Sequence, residues 1–261
     1  MIVKVMLVDV NPKMVAAWRA VFEDNPEVDI VQGSMTAQAT AAWVSPTNAK
    51  GSMDGGLDGV IKNFLGAQIQ TRVQQEIAAK YQGFLPVGHA VCAPTGRAQP
   101  AWLISTPTMV DASQDVSATL NVALSCAAAL QMVHMQNRLI KGAIPSVALP
   151  GLGANTGKVP VDICADLMWT AYNLFREEAF ESFADMRAAL EEELGALGNV
   201  TPSSPAKPAA APVAHAAPYA VKGPVIPAKG PVIPGKPAVK GPVIPGPAAK
   251  PKPIDDFDDS E

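Results

Sequence analysis

The sequence lacks the features that would place it in a membrane or on a nucleic acid. No apolar run in the 261 residues reaches the roughly 18 residues of a membrane-spanning helix. The N-terminus has no basic start and no small-residue cleavage site, so we expect no signal peptide. Aromatic residues make up only 5% of the chain, and basic patches interleaved with aromatics are missing from the first 198 residues. We therefore expect neither a membrane nor a nucleic acid as partner.

Cysteine and histidine are also scarce, with three residues of each. Cys92, Cys126 and Cys164 are scattered through apolar surroundings, which favours buried free thiols in a reducing compartment. No spacing of cysteines and histidines indicates a metal site. We expect no metal, no cofactor and a cytoplasmic location.

Proline divides the chain into two parts. The last 63 residues, 199–261, contain 15 of the 25 prolines. Within them the segment Lys-Gly-Pro-Val-Ile-Pro occurs three times, at 222–227, 229–234 and 240–245. Proline at this density removes backbone donors and favours extended geometry, so we predict a disordered linker over 199–254. The acidic tip at 255–261 is either a solubilising end or a recruiting element, loosely similar to the tips of bacterial single-stranded-DNA-binding proteins.

The first 198 residues alternate short apolar runs with segments of helical spacing. Predicted strands cover 2–9, 28–31, 41–44, 87–93, 102–105 and 146–149. Predicted helices cover 12–23, 57–81, 113–135, 160–175 and 177–197. This alternation predicts one α/β domain over 1–198, with a mostly parallel or mixed sheet covered by helices on both faces. In such sheets ligands bind beyond the carboxyl ends of the strands.

Two glycine-rich loops follow predicted strands, so both fall where a ligand is expected. The first spans 45–59, contains Gly55 and Gly56, and places Asn48 and Asp58 ten positions apart. Glycines let backbone amides approach a ligand closely. An asparagine and an aspartate that frame such a loop can hold a sugar hydroxyl and a water.

The second loop, 151–157, reads Gly-Leu-Gly-Ala-Asn-Thr-Gly. Leu152 and Val159 stand where a Walker A loop needs a glycine and a serine or threonine. The spacing also misses the dinucleotide-binding fingerprint by one residue. Two interpretations stay open: a loop that presents amides to an anion near a helix N-terminus, or a tight turn for packing.

Together the two loops resemble the ADP-ribose-binding loops of macro domains. Asn48 falls on the second asparagine of the family's Asn-Ala-Ala-Asn motif. Asp58 falls on the aspartate after its glycine run, at the family's interval. Residues 45–48 read Ser-Pro-Thr-Asn, as in a bacterial and phage subgroup with Ser-Pro-x-Asn. The resemblance covers about residues 1–180 and implies a three-layer α/β/α fold, located in the bacterial cytoplasm or a phage-infected host.

The resemblance implies that the ligand is ADP-ribose or a related nucleotide-sugar, free or attached to a protein. Asn48 and Asp58 would position the distal ribose and a water, for hydrolysis of ADP-ribosyl esters or of O-acetyl-ADP-ribose. The ligand-binding positions implied by the match are Ser34, Ser45, Gly55, Gly56, Leu57, Gly151, Leu152, Gly153, Ala154, Asn155, Thr156 and Gly157. From the residues alone, Asp58 is also compatible with a helix N-terminal acid, and Asn48 with a side chain that caps loop backbone.

One departure from the family pattern concerns the base of the ligand. Ser34 stands where the family has an aspartate that binds the adenine amino group, so the resemblance leaves base specificity open. Asp9, at the end of the first predicted strand, either replaces that acid or is an ordinary strand-end residue. The alternative function is a non-catalytic reader or interaction protein whose proline-rich tail and acidic tip recruit a partner.

Overall fold

Residues 3–177 and 180–196 are described by the structure, which is a computed structural model. The chain divides into two units, Met1–Ala216 and Ala217–Glu261, and every described residue belongs to the first. The predicted linker at 199–254 and the acidic tip at 255–261 lie outside the described residues. Within the described ranges, no helix is both long enough and apolar enough to cross a membrane.

One mixed sheet of six strands forms the middle layer. The strands are β1 (Lys4–Asp9), β2 (Val28–Gln32), β3 (Ala42–Ser45), β4 (Val91–Pro94), β5 (Trp102–Ser105) and β6 (Ser146–Leu149). Their order across the sheet is β2-β1-β6-β3-β5-β4. All neighbours run parallel except β4, which is antiparallel to β5. Strand β6 therefore lies between β1 and β3, and the carboxyl ends of the five parallel strands share one edge.

Helices cover both faces of this sheet, as the sequence predicted. They are α1 (Pro12–Val21), α2 (Gly56–Leu65), α3 (Gln68–Tyr81), α4 (Asn121–Leu139), α5 (Val161–Glu177) and α6 (Phe183–Ala196). A short 3₁₀ turn at Met35–Ala37 precedes β3. The core on one face takes residues from α1, α4, α5 and α6, and the core on the other face takes residues from α2 and α3. The result is the predicted three-layer α/β/α arrangement.

Side-chain alternation explains how β3 supports both cores. Trp43 packs into the α2–α3 core, whereas Val44 packs into the opposite core. Both are essentially inaccessible, at 1% and 0% exposure. Helix α4 is buried on all sides over residues 121–133, because α5 and α6 pack against it and its alanines allow their close approach.

The predicted single helix over 57–81 is wrong, because the chain breaks into α2 and α3. Gly66 ends α2 with φ +97°, and its amide donates to the carbonyl of Lys62 at 2.8 Å. A residue in this left-handed region cannot continue an α-helix, and glycine adopts it at the lowest cost.

Three other predicted boundaries also need correction. Helix α4 begins at Asn121 rather than 113, and the preceding residues form a loop in which Ser113 has φ +68°. Helix α6 begins at Phe183 rather than 177, after Ser182 accepts a hydrogen bond from the amide of Asp185. Strand β4 covers Val91–Pro94 rather than 87–93. In each case a loop precedes the element, and local composition did not reveal it.

Candidate functional site

Both glycine-rich loops leave the same edge of the sheet. The first follows β3 and leads into α2, and the second follows β6 and leads into α5. Strands β3 and β6 are direct neighbours, with Ala42 opposite Val147 and Trp43 opposite Ala148. Because parallel strands end at the same edge, the structure brings the two loops next to each other at the strand-order reversal where α/β sheets bind ligands.

Asp58 is held in the first turn of α2 by the last residue of β3. The hydroxyl of Ser45 donates a hydrogen bond to Asp58 Oδ1, and Ser45 itself is fully buried. Burial raises the pKa of Asp58 to about 6, while the hydrogen bond from Ser45 acts in the opposite direction. The carboxyl group therefore changes its charge near pH 6.

The start of α2 leaves backbone amides without acceptors. The first hydrogen bond of the helix runs from the Gly59 amide to the Gly55 carbonyl at 3.1 Å, and no side chain caps Gly55. Gly56 has φ +55°, and a Cβ at either Gly55 or Gly56 would meet nothing within 4 Å. Leu57 follows with its side chain packed on the α2–α3 core. This helix end is open, and the helix dipole favours an anion there.

Asn48 lies in the first loop, and the oxygen of its side-chain amide already accepts hydrogen bonds. Its Oδ1 accepts hydrogen bonds from the amides of Lys50 and Ser52, at 3.0 Å and 3.2 Å. The loop-capping interpretation is therefore correct for the oxygen. Among the described residues Nδ2 has no hydrogen-bond partner, so Asn48 can offer a ligand a donor.

The second loop presents a row of amides with no internal partner. From Leu152 to Gly157, no backbone amide donates a hydrogen bond to another described residue. Buried backbone groups are nearly always paired in native proteins, and three residues of this run, Leu152, Gly153 and Gly157, are buried. Successive amides in such a loop form a concave site for an anion.

Hydrogen bonds fix both ends of the second loop, and the backbone amides from Leu152 to Gly157 keep no partner among the described residues. The Gly151 amide donates to Asp9 Oδ2 at 3.2 Å. At the other end, the Val159 amide donates to the Gly153 carbonyl at 3.2 Å. Gly153 has φ +72°, which reverses the chain within the loop. The loop is therefore a tight turn, and this geometry does not exclude the anion-site interpretation.

The predicted positions within this loop differ in what they can offer a ligand. The side chain of Leu152 is 0% exposed in the core, so only its backbone remains for a ligand. Ala154 is partly buried, and Asn155 and Thr156 are exposed at the tip. Gly157 is buried, with Gly153 and Val116 directly against it.

A third segment, residues 106–120, contacts both glycine-rich loops and was not predicted as part of the site. The Ala49 amide donates to the Val110 carbonyl at 3.3 Å, and the Val116 amide donates to the Gly157 carbonyl at 3.0 Å. Asn48 also forms a parallel bridge with Met109. The segment therefore links the two loops along the β5 side of the site.

Buried polar side chains anchor this third segment to α4. Ser125 Oγ donates to the Pro107 carbonyl at 2.7 Å, and Asn121 Nδ2 donates to the Thr108 carbonyl at 2.8 Å. The sequence contained a signal for this third segment, because Thr106 and Thr108 closely follow an apolar strand. Both threonines are buried in the structure. Buried polar groups need partners: Thr106 Oγ1 donates to the carbonyls of His89 and Ser125, at 3.2 Å and 3.3 Å.

Ser34 and Asp9 lie at the far side of the same edge. Ser34 Oγ accepts a hydrogen bond from the Thr36 amide at 3.2 Å and begins the 3₁₀ turn after β2. Asp9 Oδ1 accepts from the Asn11 amide at 2.8 Å, while Oδ2 holds Gly151. Asp9 is therefore a strand-end residue that also anchors the second loop, and the sequence did not indicate that second role.

A cavity of about 560 Å³ lies elsewhere in the described residues. It is lined by α1 and the start of β2, and residues such as Arg19, Phe22 and Asn25 face it. The start of β2 is at the opposite end of that strand from the two loops. None of the predicted site residues lines this cavity, so it has no part in the candidate site.

Comparison with known proteins agrees with this arrangement. The model of the Macro domain family matches residues 44–168, from β3 into α5. A protein of Aquifex aeolicus (strain VF5) is 28% identical over 155 residues, which cover 59% of this chain and 86% of that protein. A macro domain-containing protein of Streptomyces griseus is 33% identical over 97 residues, which cover 37% of this chain and 55% of that protein.

Among solved structures, the macrodomain of Mycobacterium tuberculosis DarG is similar, with a TM-score of 0.47 and 19% identity. The alignment covers 56% of this chain and 90% of that chain. The family match includes Asn48, Asp58 and the loop at 151–157. Residues 44–168 thus match the macro domain family, and this region holds both glycine-rich loops of the candidate site.

Proposed function

We propose that the domain binds ADP-ribose or a closely related nucleotide-sugar across the carboxyl ends of β3 and β6. The observation that carries the proposal is the pair of amide rows, one from Leu152 to Gly157 and one at the start of α2. They come from neighbouring strands and leave donors unpaired on both sides. A pyrophosphate carries acceptors and negative charge on two linked groups, which matches two adjacent sets of donors.

The distal ribose would then lie beside the first loop. Asn48 Nδ2 can donate to a ribose hydroxyl, and the carboxylate of Asp58 can accept from a hydroxyl or a water. Gly55 and Gly56 present no side chain there, so a sugar can approach the backbone closely. These placements follow the family resemblance, and the hydrogen-bond arrangement of the loop supports them.

We further propose that the domain hydrolyses ADP-ribosyl esters. Water would supply a hydroxyl to one product and a proton to the other as the ester bond breaks, which leaves ADP-ribose and a free acid. Asp58 would accept a hydrogen bond from that water and orient it, and it can do so when ionised, above about pH 6. The bound phosphates and loop amides would contribute the electrostatic part of catalysis.

Calorimetric titration of the full chain with ADP-ribose tests the binding proposal. We expect saturable binding to one site, weakened at least about tenfold by Asn48→Asp, because that change replaces the free donor with an acceptor. Asn63→Asp is the matched control, since Asn63 is exposed on α2 and receives the same charge. Absence of binding at millimolar ADP-ribose would overturn the proposal.

Turnover of an ADP-ribosylated peptide separates an enzyme from a reader. If the domain is a hydrolase, Asp58→Asn should abolish release of ADP-ribose while binding remains measurable. A parent protein that binds ADP-ribose but releases none from the peptide would be the non-catalytic reader of the alternative hypothesis. Recruitment of a protein partner by the proline-rich tail, like the cytoplasmic location, stays a prediction.

A further inference from the structure

One side of the candidate site is covered by protein and the other is open, so a bound nucleotide would extend toward the open side. On the β5 side, residues 106–120 contact both loops and cover that side of the site. On the other side, the end of β1 is open, and Val10 is 69% exposed. With the distal ribose at Asn48 and the diphosphate at 152–157, the base must therefore lie over the ends of β1 and β2. Three strand spacings from β3 to β2 are about 14 Å.

The acceptors of Ser34 are already used by its own turn. Its Oγ accepts from the Thr36 amide and shares a hydrogen bond of 2.8 Å with Thr36 Oγ1. Its carbonyl accepts from Gln38 Nε2 at 2.8 Å and from the Ala37 amide at 3.2 Å. Both acceptor atoms of Ser34, Oγ and the carbonyl oxygen, therefore already have partners within its own turn.

The polar side chains at the end of β1 are engaged in the same way. Each carboxylate oxygen of Asp9 accepts one backbone amide, from Asn11 and from Gly151. Asn11 Oδ1 accepts from the Lys13 amide at 3.0 Å. Its Nδ2 has no partner among the described residues, so Asn11 offers a donor, and ring nitrogens that accept such a donor occur in every purine.

Gln32 is a further polar side chain at this edge, and it is exposed at the end of β2. Its amide carries a donor and an acceptor on one rotatable group. By rotating about its last side-chain bond, such an amide can accept a hydrogen bond from an amino group of the base or donate one to a carbonyl. It therefore gives no fixed preference between them.

We infer that the site takes purine nucleoside diphosphate riboses as a class and does not select adenine over hypoxanthine. The inference rests on the proposed ADP-ribose site and specifies its ligand. A site discriminates strongly when it contains a buried group that only the correct ligand can satisfy. At the ends of β1 and β2 no described side chain is a buried polar group without a partner, and Val10 adds an apolar contact that any purine can use.

Calorimetric titration of the full chain with ADP-ribose and with inosine diphosphate ribose tests this inference. The two ligands differ at the base, where hypoxanthine has a carbonyl in place of the adenine amino group. We expect dissociation constants within about fivefold of each other, because neither ligand leaves a dedicated protein group unpaired. A preference beyond fivefold for either ligand would overturn the inference but leave the proposed function standing. Failure of both ligands to bind would overturn the proposed function and the inference with it.

Ser34→Asp provides a second, independent measurement. Aspartate is also a good N-cap, so one carboxylate oxygen can replace the serine oxygen at the Thr36 amide. The other oxygen is then free to accept from an adenine amino group. We expect the ratio of the two dissociation constants to shift toward ADP-ribose by at least about fivefold, with no shift in Asn63→Asp. An unchanged ratio in Ser34→Asp would show that the base does not lie beside residue 34, and would overturn the inferred placement.

Discussion

Ser45, the last residue of β3, donates a hydrogen bond to the carboxylate of Asp58 in the first turn of α2. The two residues are separated by the whole first loop. Their contact fixes where α2 begins relative to the sheet, and it holds a partly buried carboxyl group at the edge where the two amide rows meet. Much of what can be tested about this domain follows from that contact.

Replacement of Asp58 by asparagine should stabilise the protein at neutral pH. The pKa of Asp58 is raised from 3.8 to about 6 in the folded state, so the folded protein binds this proton more tightly than the unfolded chain. The stability contributed by that proton is present below pH 3.8 and is lost as the pH rises through 6. Asparagine removes the desolvated charge and keeps an acceptor for Ser45.

We expect Asp58→Asn to raise the free energy of unfolding by about 1 kcal/mol at pH 7.5, a value reduced from the full pKa shift because the side chain is only partly buried. Urea unfolding at pH 7.5 and pH 4 measures the effect. The gain should shrink at pH 4, where the parent carboxyl is mostly protonated. An unchanged or lower stability at pH 7.5 would contradict the burial argument.

Removal of the Ser45 hydroxyl should raise the pKa of Asp58 further. The hydrogen bond favours the ionised carboxylate and so lowers the pKa of Asp58. In Ser45→Ala this effect is lost, and burial, which raises the pKa, acts unopposed. Carboxyl NMR titration of Asp58 measures the pKa directly, whether or not the protein is an enzyme. Ser105→Ala is the matched control, because Ser105 pairs with Ser45 across β3 and β5 and hydrogen-bonds Thr47 rather than Asp58. An equal shift in both variants would mean that the contact is not specific.

Gly157→Ala should both destabilise the domain and weaken ligand binding. A Cβ at this position would lie 2.6 Å from Val116 Cγ2 and 2.7 Å from the Gly153 carbonyl oxygen. The loop must move to accommodate it, at a cost of about 1–3 kcal/mol. Urea unfolding and ADP-ribose titration measure the two effects.

Gly195→Ala is the control for that substitution. A Cβ at Gly195 would meet nothing within 4 Å, and the residue lies in α6, where alanine is the better helix former. We expect no loss of stability and up to about 1 kcal/mol of gain. A destabilised Gly195→Ala variant, or a fully stable Gly157→Ala variant, would contradict the packing described for the second loop.

His89 should make the domain sensitive to acid. Burial lowers the pKa of His89 below 6.5, and the charge of Arg187 lowers it further. Its Nδ1 is buried and has no hydrogen-bond partner among the described residues. Below pH 6.5 the unfolded chain gains a proton that the folded protein resists, so this contribution to stability is lost as the pH falls. Asp58 acts in the opposite direction over the same range, so the effect must be measured as a difference.

His89→Phe isolates this contribution while it keeps the aromatic packing. The ring of His89 lies 5.4 Å from that of Tyr81 and 5.1 Å from that of Phe183. We expect the free energy of unfolding to fall less between pH 7 and pH 5 in the variant than in the parent, by urea unfolding at both values. His134, whose pKa is also lowered, is present in both proteins and cancels. If the free energy of unfolding falls equally in both proteins between pH 7 and pH 5, His89 does not contribute to the acid sensitivity.

Short-range patterns in the sequence were sufficient for much of the architecture. The strands at β1, β5 and β6 are brief apolar runs bounded by turn residues, and such runs have few alternatives. Glycines after β3 and β6 indicated loops at the carboxyl ends of strands. The mixed sheet with two covered faces was therefore predictable, and so was the neighbourhood of Asn48, Asp58 and the loop at 151–157.

Contacts between distant segments decided the rest. Gly66 divides a segment whose apolar spacing alone predicted one helix, and the start of α4 at Asn121 depends on how residues 106–120 pack against both loops. Asp9 and Gly151 meet across 142 positions. No local pattern encodes such a pairing, because it exists only when β1 and β6 lie side by side.

By itself, the sequence determined which residues form the candidate site of this protein: an asparagine, an aspartate and two glycine-rich loops at set intervals. The tertiary structure alone decided which of their atoms remain available. It gave the oxygen of Asn48 and the acceptor atoms of Ser34 partners in local turns. It left the amides from Leu152 to Gly157 without a partner among the described residues, and it placed Asp58 beside the buried Ser45. The physical reason is that hydrogen-bond capacity and desolvation belong to a three-dimensional environment, which residue identity and spacing do not specify.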